Sequence, residues 1–122
     1  MKKYIFFRTD RIGDFLLSAI LIKSIKRNDQ DSHITVIASE KNYNYIKTLS
    51  FIDRTVLYPS SIFKKIVFFC KLFFNRSYFI IALDGKKRSI YGSIISRSEI
   101  KLLLTTKEFF KKIFNFFFTK IF

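Results

Sequence analysis

Asp14 is the residue of this chain whose type and setting best suit chemistry. It closes the stretch Arg8-Thr9-Asp10-Arg11-Ile12-Gly13-Asp14, between an apolar run, Tyr4-Ile5-Phe6-Phe7, and a run of helical period from Phe15 to Ile25. A carboxylate at a helix start is favoured by free N–H groups and by the helix dipole. Placed there it can cap the helix, or it can accept a proton from a substrate hydroxyl as general base. Arg11 would help keep it ionised and could pair with a phosphate or carboxylate; its other reading is an ion pair with Asp10 or Asp14. Asp10 is read as structural. Gly13 allows a backbone shape that other residues resist.

A second group of candidates is Lys86-Lys87-Arg88-Ser89, after the apolar run 78–83. Such a cluster either holds an anionic substrate group or is a solvated loop. His33, ahead of a strand in a polar setting, is expected to be exposed and uninvolved. Cys70 is single and lies in an apolar run, so it reads as a small buried hydrophobe and suits a reducing cytoplasm. No Glu, His, Asp or Cys group has metal-ligand spacing.

The elements that must position these residues alternate along the chain. Strands are expected over about 3–8, 34–38, 55–57, 78–83 and 101–104. Helices are expected over about 14–27, 40–49, 62–74 and 89–96, with Phe15, Leu16, Ala19, Ile20, Ile22 and Ile25 offered to the sheet by the first. Pro59-Ser60-Ser61 breaks the chain and can cap the helix at 62. This alternation predicts an α/β fold, a parallel sheet of about five strands with strand one central and helices on both faces. In such sheets ligands bind at the carboxyl ends of the strands, where both candidate groups fall. The first turn has one glycine, so it is neither a dinucleotide fingerprint nor a phosphate-binding P-loop.

The first turn resembles the opening of glycosyltransferase family 9, the lipopolysaccharide heptosyltransferase family: a short strand, an Arg-x-Asp-x-x-Gly-Asp-type turn, then a helix rich in Leu and Ser. Here that reads Ile5-Phe6-Phe7-Arg8-Thr9-Asp10-Arg11-Ile12-Gly13-Asp14-Phe15-Leu16-Leu17-Ser18. His33-Ile34-Thr35-Val36-Ile37-Ala38, Phe51-Ile52-Asp53-Arg54-Thr55-Val56 and Tyr78 to Ser89 are similar to the later strands and basic turn. Ala19 and Ile20 depart from the family, which usually has a proline there. The resemblance implies the Rossmann-like, acceptor-side half of a GT-B glycosyltransferase over 1–105. It implies Asp14 as general base, with Arg11, Gly13, Lys86, Lys87 and Arg88 binding substrate. The implied reaction is inverting transfer from an ADP-sugar to a lipopolysaccharide core or similar glycan, without metal or cofactor. The implied partners are an anionic glycolipid acceptor, the cytoplasmic face of a bacterial inner membrane and, since a donor half is not present in these residues, a separate donor-domain chain.

Composition agrees with one domain able to bury a core: 122 residues, 49% hydrophobic. Phe, Ile, Lys and Asn are residues of A/T-rich codons, so their excess is not by itself a functional signal. The net charge of +14 is compatible with nucleic acid or with anionic headgroups. The cations are spread along the chain without any nucleic-acid-binding motif, and the resemblance favours headgroups. No secretory leader is expected, because Arg8, Asp10, Arg11 and Asp14 break the apolar start. The segment 62–74 is too short to span a bilayer, which takes ~20 residues. The tail, 106–122, reads as an amphipathic helix over 107–122, with Phe109, Phe110, Ile113, Phe114, Phe117 and Ile121 on one side and Lys111, Lys112, Asn115 and Thr119 on the other. It packs on the sheet, lies in a membrane interface, or is the altered end of a shortened reading frame. Two other functions compete with sugar transfer: a non-catalytic α/β binding module or inactive fragment, and a basic nucleic-acid-binding protein.

Overall fold

A computed structural model of the chain describes residues 2–8, 12–83, 87–103, 112 and 118–121, of which 12–18, 120 and 121 are described by their backbone alone. The elements follow as β1 (Lys3–Arg8), α1 (Ile12–Asn28), β2 (His33–Ala38), α2 (Tyr43–Lys47), β3 (Arg54–Leu57), α3 (Ile62–Phe74), β4 (Arg76–Ala82), α4 (Lys87–Ile95), β5 (Arg97–Leu103) and β6 (Lys120–Ile121). The strands form one sheet in the order β3-β2-β1-β4-β5-β6, parallel at every pairing. This is the doubly wound Rossmann-like arrangement, with β1 between β2 and β4.

The apolar runs are continuous because both faces of the central strands are covered. Successive side chains point to opposite faces. Phe6, Ile34, Val36 and Ile81 meet Ile22 of α1 and Ile46 of α2. Phe7, Ile37 and Ile80 meet Leu72 of α3, with Phe68 and Phe69 beside them. A third cluster joins Ala82, Ile90, Leu103 and Phe118. Each such fully buried side chain contributes about 1.5–3 kcal/mol.

Local capping and ion pairing close the periphery. Ser61 Oγ accepts the N–H of Lys64 at 3.3 Å, the cap expected after Pro59. At the opposite edge of the sheet from the carboxyl ends, Asp53 ties β3 to β2. Its carboxylate accepts the N–H of Ile34 at 2.8 Å and pairs with Lys26 at 2.9 Å. Burial pushes the Asp53 carboxyl up, but the Ile34 N–H and Lys26 together outweigh this and hold it below its ordinary value.

Four expectations need correction. Ile20 does not face the sheet: it is 74% exposed, while Ala19, Ile22 and Ile25 pack against the core. At about 100° per residue, position 20 is turned away from the face that 19, 22 and 25 share. Cys70 is exposed rather than buried, because α3 turns its other side to the sheet. Strand β5 begins at Arg97 rather than 101, since polar Arg97 and Ser98 pair with Arg76 and Ser77 of β4; the hydroxyls of Ser77 and Ser98 hydrogen-bond across the pair. The tail does not stay helical to its end. Lys112 is helical, but Lys120–Ile121 is a strand, and Lys101 and Thr119 lock it to β5 by hydrogen bonds of 2.8 and 3.0 Å. The rest of that segment lies outside the described residues.

Gly92 lets α4 approach the central strand. A Cβ at this position would stand 2.6 Å from Cζ of the fully buried Phe7. Gly92→Ala should therefore lower stability by about 1–2 kcal/mol in urea unfolding, since overpacking outweighs the helix-propensity gain of about 1 kcal/mol. Asp53 makes a pH-dependent prediction. Its stabilisation is complete above the unfolded carboxylate's range and is lost as pH falls through the lowered folded value. The melting temperature of Asp53→Asn should lie below wild type at about pH 6, and the gap should narrow as pH falls below the ordinary carboxylate range; a gap constant with pH would contradict this role.

Candidate functional site

The carboxyl ends of β1 and β4 lie side by side. Phe7 pairs with Ala82, and the N–H of Leu83 donates to the carbonyl of Phe7 at 3.1 Å. From this pair the chain goes one way, through α1 to β2, and the other way, through α4 to β5. In open α/β sheets such a divergence forms a crevice at the carboxyl ends of the strands, where ligands bind. Both following helices start there, so two sets of free N–H groups and two positive dipole ends border it.

Two buried polar side chains hold the strand ends on either side of that crevice. Arg8, the last residue of β1, is 8% exposed, and its Nη1 donates to the carbonyl of Leu83 at 2.7 Å. Asn42, just before α2, is fully buried. Its Nδ2 donates to the carbonyl of Arg8 at 2.9 Å, and its Oδ1 accepts the N–H of Ser39 at 2.9 Å. The carbonyls at the ends of the first and fourth strand segments are thus satisfied by side chains from their neighbours. Neither residue stood out in the sequence as a site former. The available signals were an arginine ending an apolar strand and the Ser-x-x-Asn spacing after β2.

Asp14 is the third residue of α1, in its first turn at the crevice, as the sequence indicated. Its side chain and those of Ile12 to Ser18 lie outside the described residues, as do Asp10, Arg11 and Lys86 altogether. Gly13 has helical backbone, a conformation open to every residue, so the special backbone shape expected of it is not used. Lys87 opens α4 and is exposed. Arg88 is half-buried, its guanidinium 5.1 Å from the centre of the Tyr58 ring. Tyr58 follows β3 and also meets Phe68 edge-on at 5.5 Å. Burial raises the Tyr58 hydroxyl above its ordinary range, opposed by the positive Arg88. Arg88 therefore forms part of a cation–aromatic wall as well as a basic cluster. Ser89, in the first turn of α4, is fully buried, and its Oγ has no hydrogen-bond partner among the described residues. His33 is half-buried with Nδ1 3.5 Å from Thr35 Oγ1.

A separate concavity of about 400 Å³ lies at the opposite edge, under α3, with Ile5, Ile37 and Leu72 in its lining and Lys3, Arg54 and Arg76 among its cations. Among the described residues no group of His, Cys, Asp and Glu could hold a metal ion, and no helix is long and apolar enough to cross a membrane.

No family model matches the chain, and no curated protein does. Among solved structures it is similar to the crystal structure of the glycosyl transferase family 9 from Veillonella parvula DSM 2008, with a TM-score of 0.77 over 99% of this chain. Sequence identity is 17%, and the match covers 35% of that chain, so this chain spans about a third of its length. At such identity the likeness is one of fold: the chain has the Rossmann-like α/β architecture found in that glycosyl transferase structure.

The Asn42 geometry is testable. Asn42→Ala leaves the Arg8 carbonyl and the Ser39 N–H without their partner, and each buried unmade bond costs about 1–3 kcal/mol. The variant should lose about 2 kcal/mol or more in urea unfolding. A loss within about 0.5 kcal/mol, the range of surface changes, would show that Asn42 does not hold this edge.

Proposed function

We propose that this chain is the acceptor-side domain of an inverting, heptosyltransferase-like glycosyltransferase. It would act on a lipopolysaccharide core or related glycan, with an ADP-sugar as donor, at the cytoplasmic face of the inner membrane. The observation that carries this reading is the place of Asp14. It stands in the first turn of the helix after the central strand, at the switch point of a fold shared along its whole length with a family 9 structure.

In this reading the Asp14 carboxylate accepts the proton of the acceptor hydroxyl while that oxygen attacks the anomeric carbon of the donor sugar. The bond from that carbon to the diphosphate breaks, ADP departs with the electron pair, and configuration inverts. Arg11, Lys86, Lys87 and Arg88 receive anionic groups of the acceptor. Guanidinium and ammonium donors suit phosphate or sugar-acid oxygens there, and the start of α4 adds its dipole. Gly13, lacking a side chain, leaves room for substrate beside Asp14. The ADP-sugar is a co-substrate, and the residues that hold it belong to a donor domain supplied beyond these 122 residues or by another chain. A binding module without catalysis shares the crevice but gives Asp14 only a capping role.

Asp14→Asn separates the two. At this first-turn position asparagine keeps the size of aspartate and gives up only about 0.3–1 kcal/mol of interaction with the helix dipole, but it cannot act as the base. In the protein joined to a donor-binding domain, sugar transfer should fall about 10²–10⁴-fold, with melting temperature nearly unchanged. Turnover equal to wild type would end the case for Asp14 as base.

A further inference from the structure

Helix α3 turns an apolar stripe away from the sheet. Lys65, Phe68, Phe69 and Leu72 are its half-buried and buried residues, so the opposite side is centred on Phe63, Ile66, Val67, Cys70 and Phe74, spaced three and four residues apart. Phe63 is 76% exposed, Phe74 72% and Ile66 57%. Large contiguous apolar surface is rare on a monomer and marks an interaction site. Lys64 and Lys71, both exposed and seven residues apart, form a row along one flank of the stripe. At its end Arg97 sits 5.0 Å over the ring of Phe73. Between Asp53 and Asp84 the sequence has no Asp or Glu.

We propose that this face of α3 docks on an anionic lipid surface, with the helix lying in the plane of the bilayer interface. The dimensions fit: 13 residues make a helix ~20 Å long, too short to span and suited to lying flat. Aromatic and aliphatic side chains enter the headgroup–acyl boundary, while Lys64, Lys71 and Arg97 reach phosphate oxygens at its rim. Charge selects this occupant over a second copy of the chain. A self-complementary contact would set Lys64 and Lys71 against their own equivalents, and the stretch 54–83 carries no carboxylate to meet them. The net charge of +14 adds long-range attraction to an anionic surface. The inference names the docking surface for the peripheral placement proposed above, yet needs no step of sugar transfer.

The full chain, spun down with vesicles, should bind phosphatidylglycerol-containing membranes at least ~10-fold more tightly than pure phosphatidylcholine, and salt should weaken the binding. The triple variant Phe63→Ser, Val67→Ser, Phe74→Ser should lose that binding ~10-fold or more while keeping the wild-type melting temperature, because these side chains are exposed. The chain has no Trp, so Phe63→Trp is a single reporter, and its emission should shift to the blue on anionic vesicles. Vesicle binding by the triple variant equal to wild type would overturn the proposal. So would an unshifted Trp, or a wild-type dimer that the triple variant splits. Asp14-dependent transfer by a wild-type chain that does not bind anionic vesicles would reject α3 docking and leave the catalytic reading standing.

Discussion

The pairing of β1 with β4 is the constraint on which the rest of the molecule depends. These two strands are adjacent in the sheet but far apart in the chain, and each is buried on both faces. Phe6 and Phe7 send side chains to opposite layers, as do Ile81 and Ile80. The register that sets Phe7 beside Ala82 brings the carboxyl end of β1 level with that of β4. A slip of one residue would send each of these side chains into the opposite layer, whose packing is shaped for a different one. The crevice is a by-product of a core that packs in one way only.

Polar groups finish what the apolar core begins. A strand that ends inside the protein leaves carbonyls that water cannot reach, and these must be met by side chains. Arg8 meets the carbonyl of Leu83, and Asn42 meets that of Arg8. Both groups are buried, so each bond is made in a poorly polar setting where loss is costly. These bonds tie the carboxyl ends of β1 and β4 to each other and to the start of α2, and α/β sheets place ligands at such strand ends.

The two helical layers differ in what they leave to solvent. The α1 and α2 side closes over Ile22 and Ile46. On the α3 side only Leu72 of that helix is fully buried, and its outward stripe is as apolar as its inner one. An apolar stripe of this kind belongs in a core or against an apolar phase. Here the sheet supplies one side of that environment, and the lysines beside the outer stripe indicate the charge of what supplies the other.

Local pattern carried most of the architecture. The alternation of short β-branched and aromatic runs with helical-period segments is a property of neighbouring residues, so the strands at 3–8 and 34–38, the helix at 62–74 and the central place of β1 were legible without coordinates. The position of Asp14 at a helix start was legible for the same reason. Contacts between residues distant in sequence were not. Arg8 and Leu83 are 75 positions apart, and Arg8 and Asn42 are 34, so no spacing rule connects them. Arg88 read either as a binder of an anionic group or as a solvated loop charge, and its contact with the Tyr58 ring was not legible. Lys120 and Ile121 read as helix because their amphipathic period was strong, but an open edge of β5 offered backbone partners that a lone helix could not match. Helical period likewise revealed that α3 has apolar residues on all sides; only packing against the sheet decided which side faces out, because periodicity describes a surface and burial requires a partner for it.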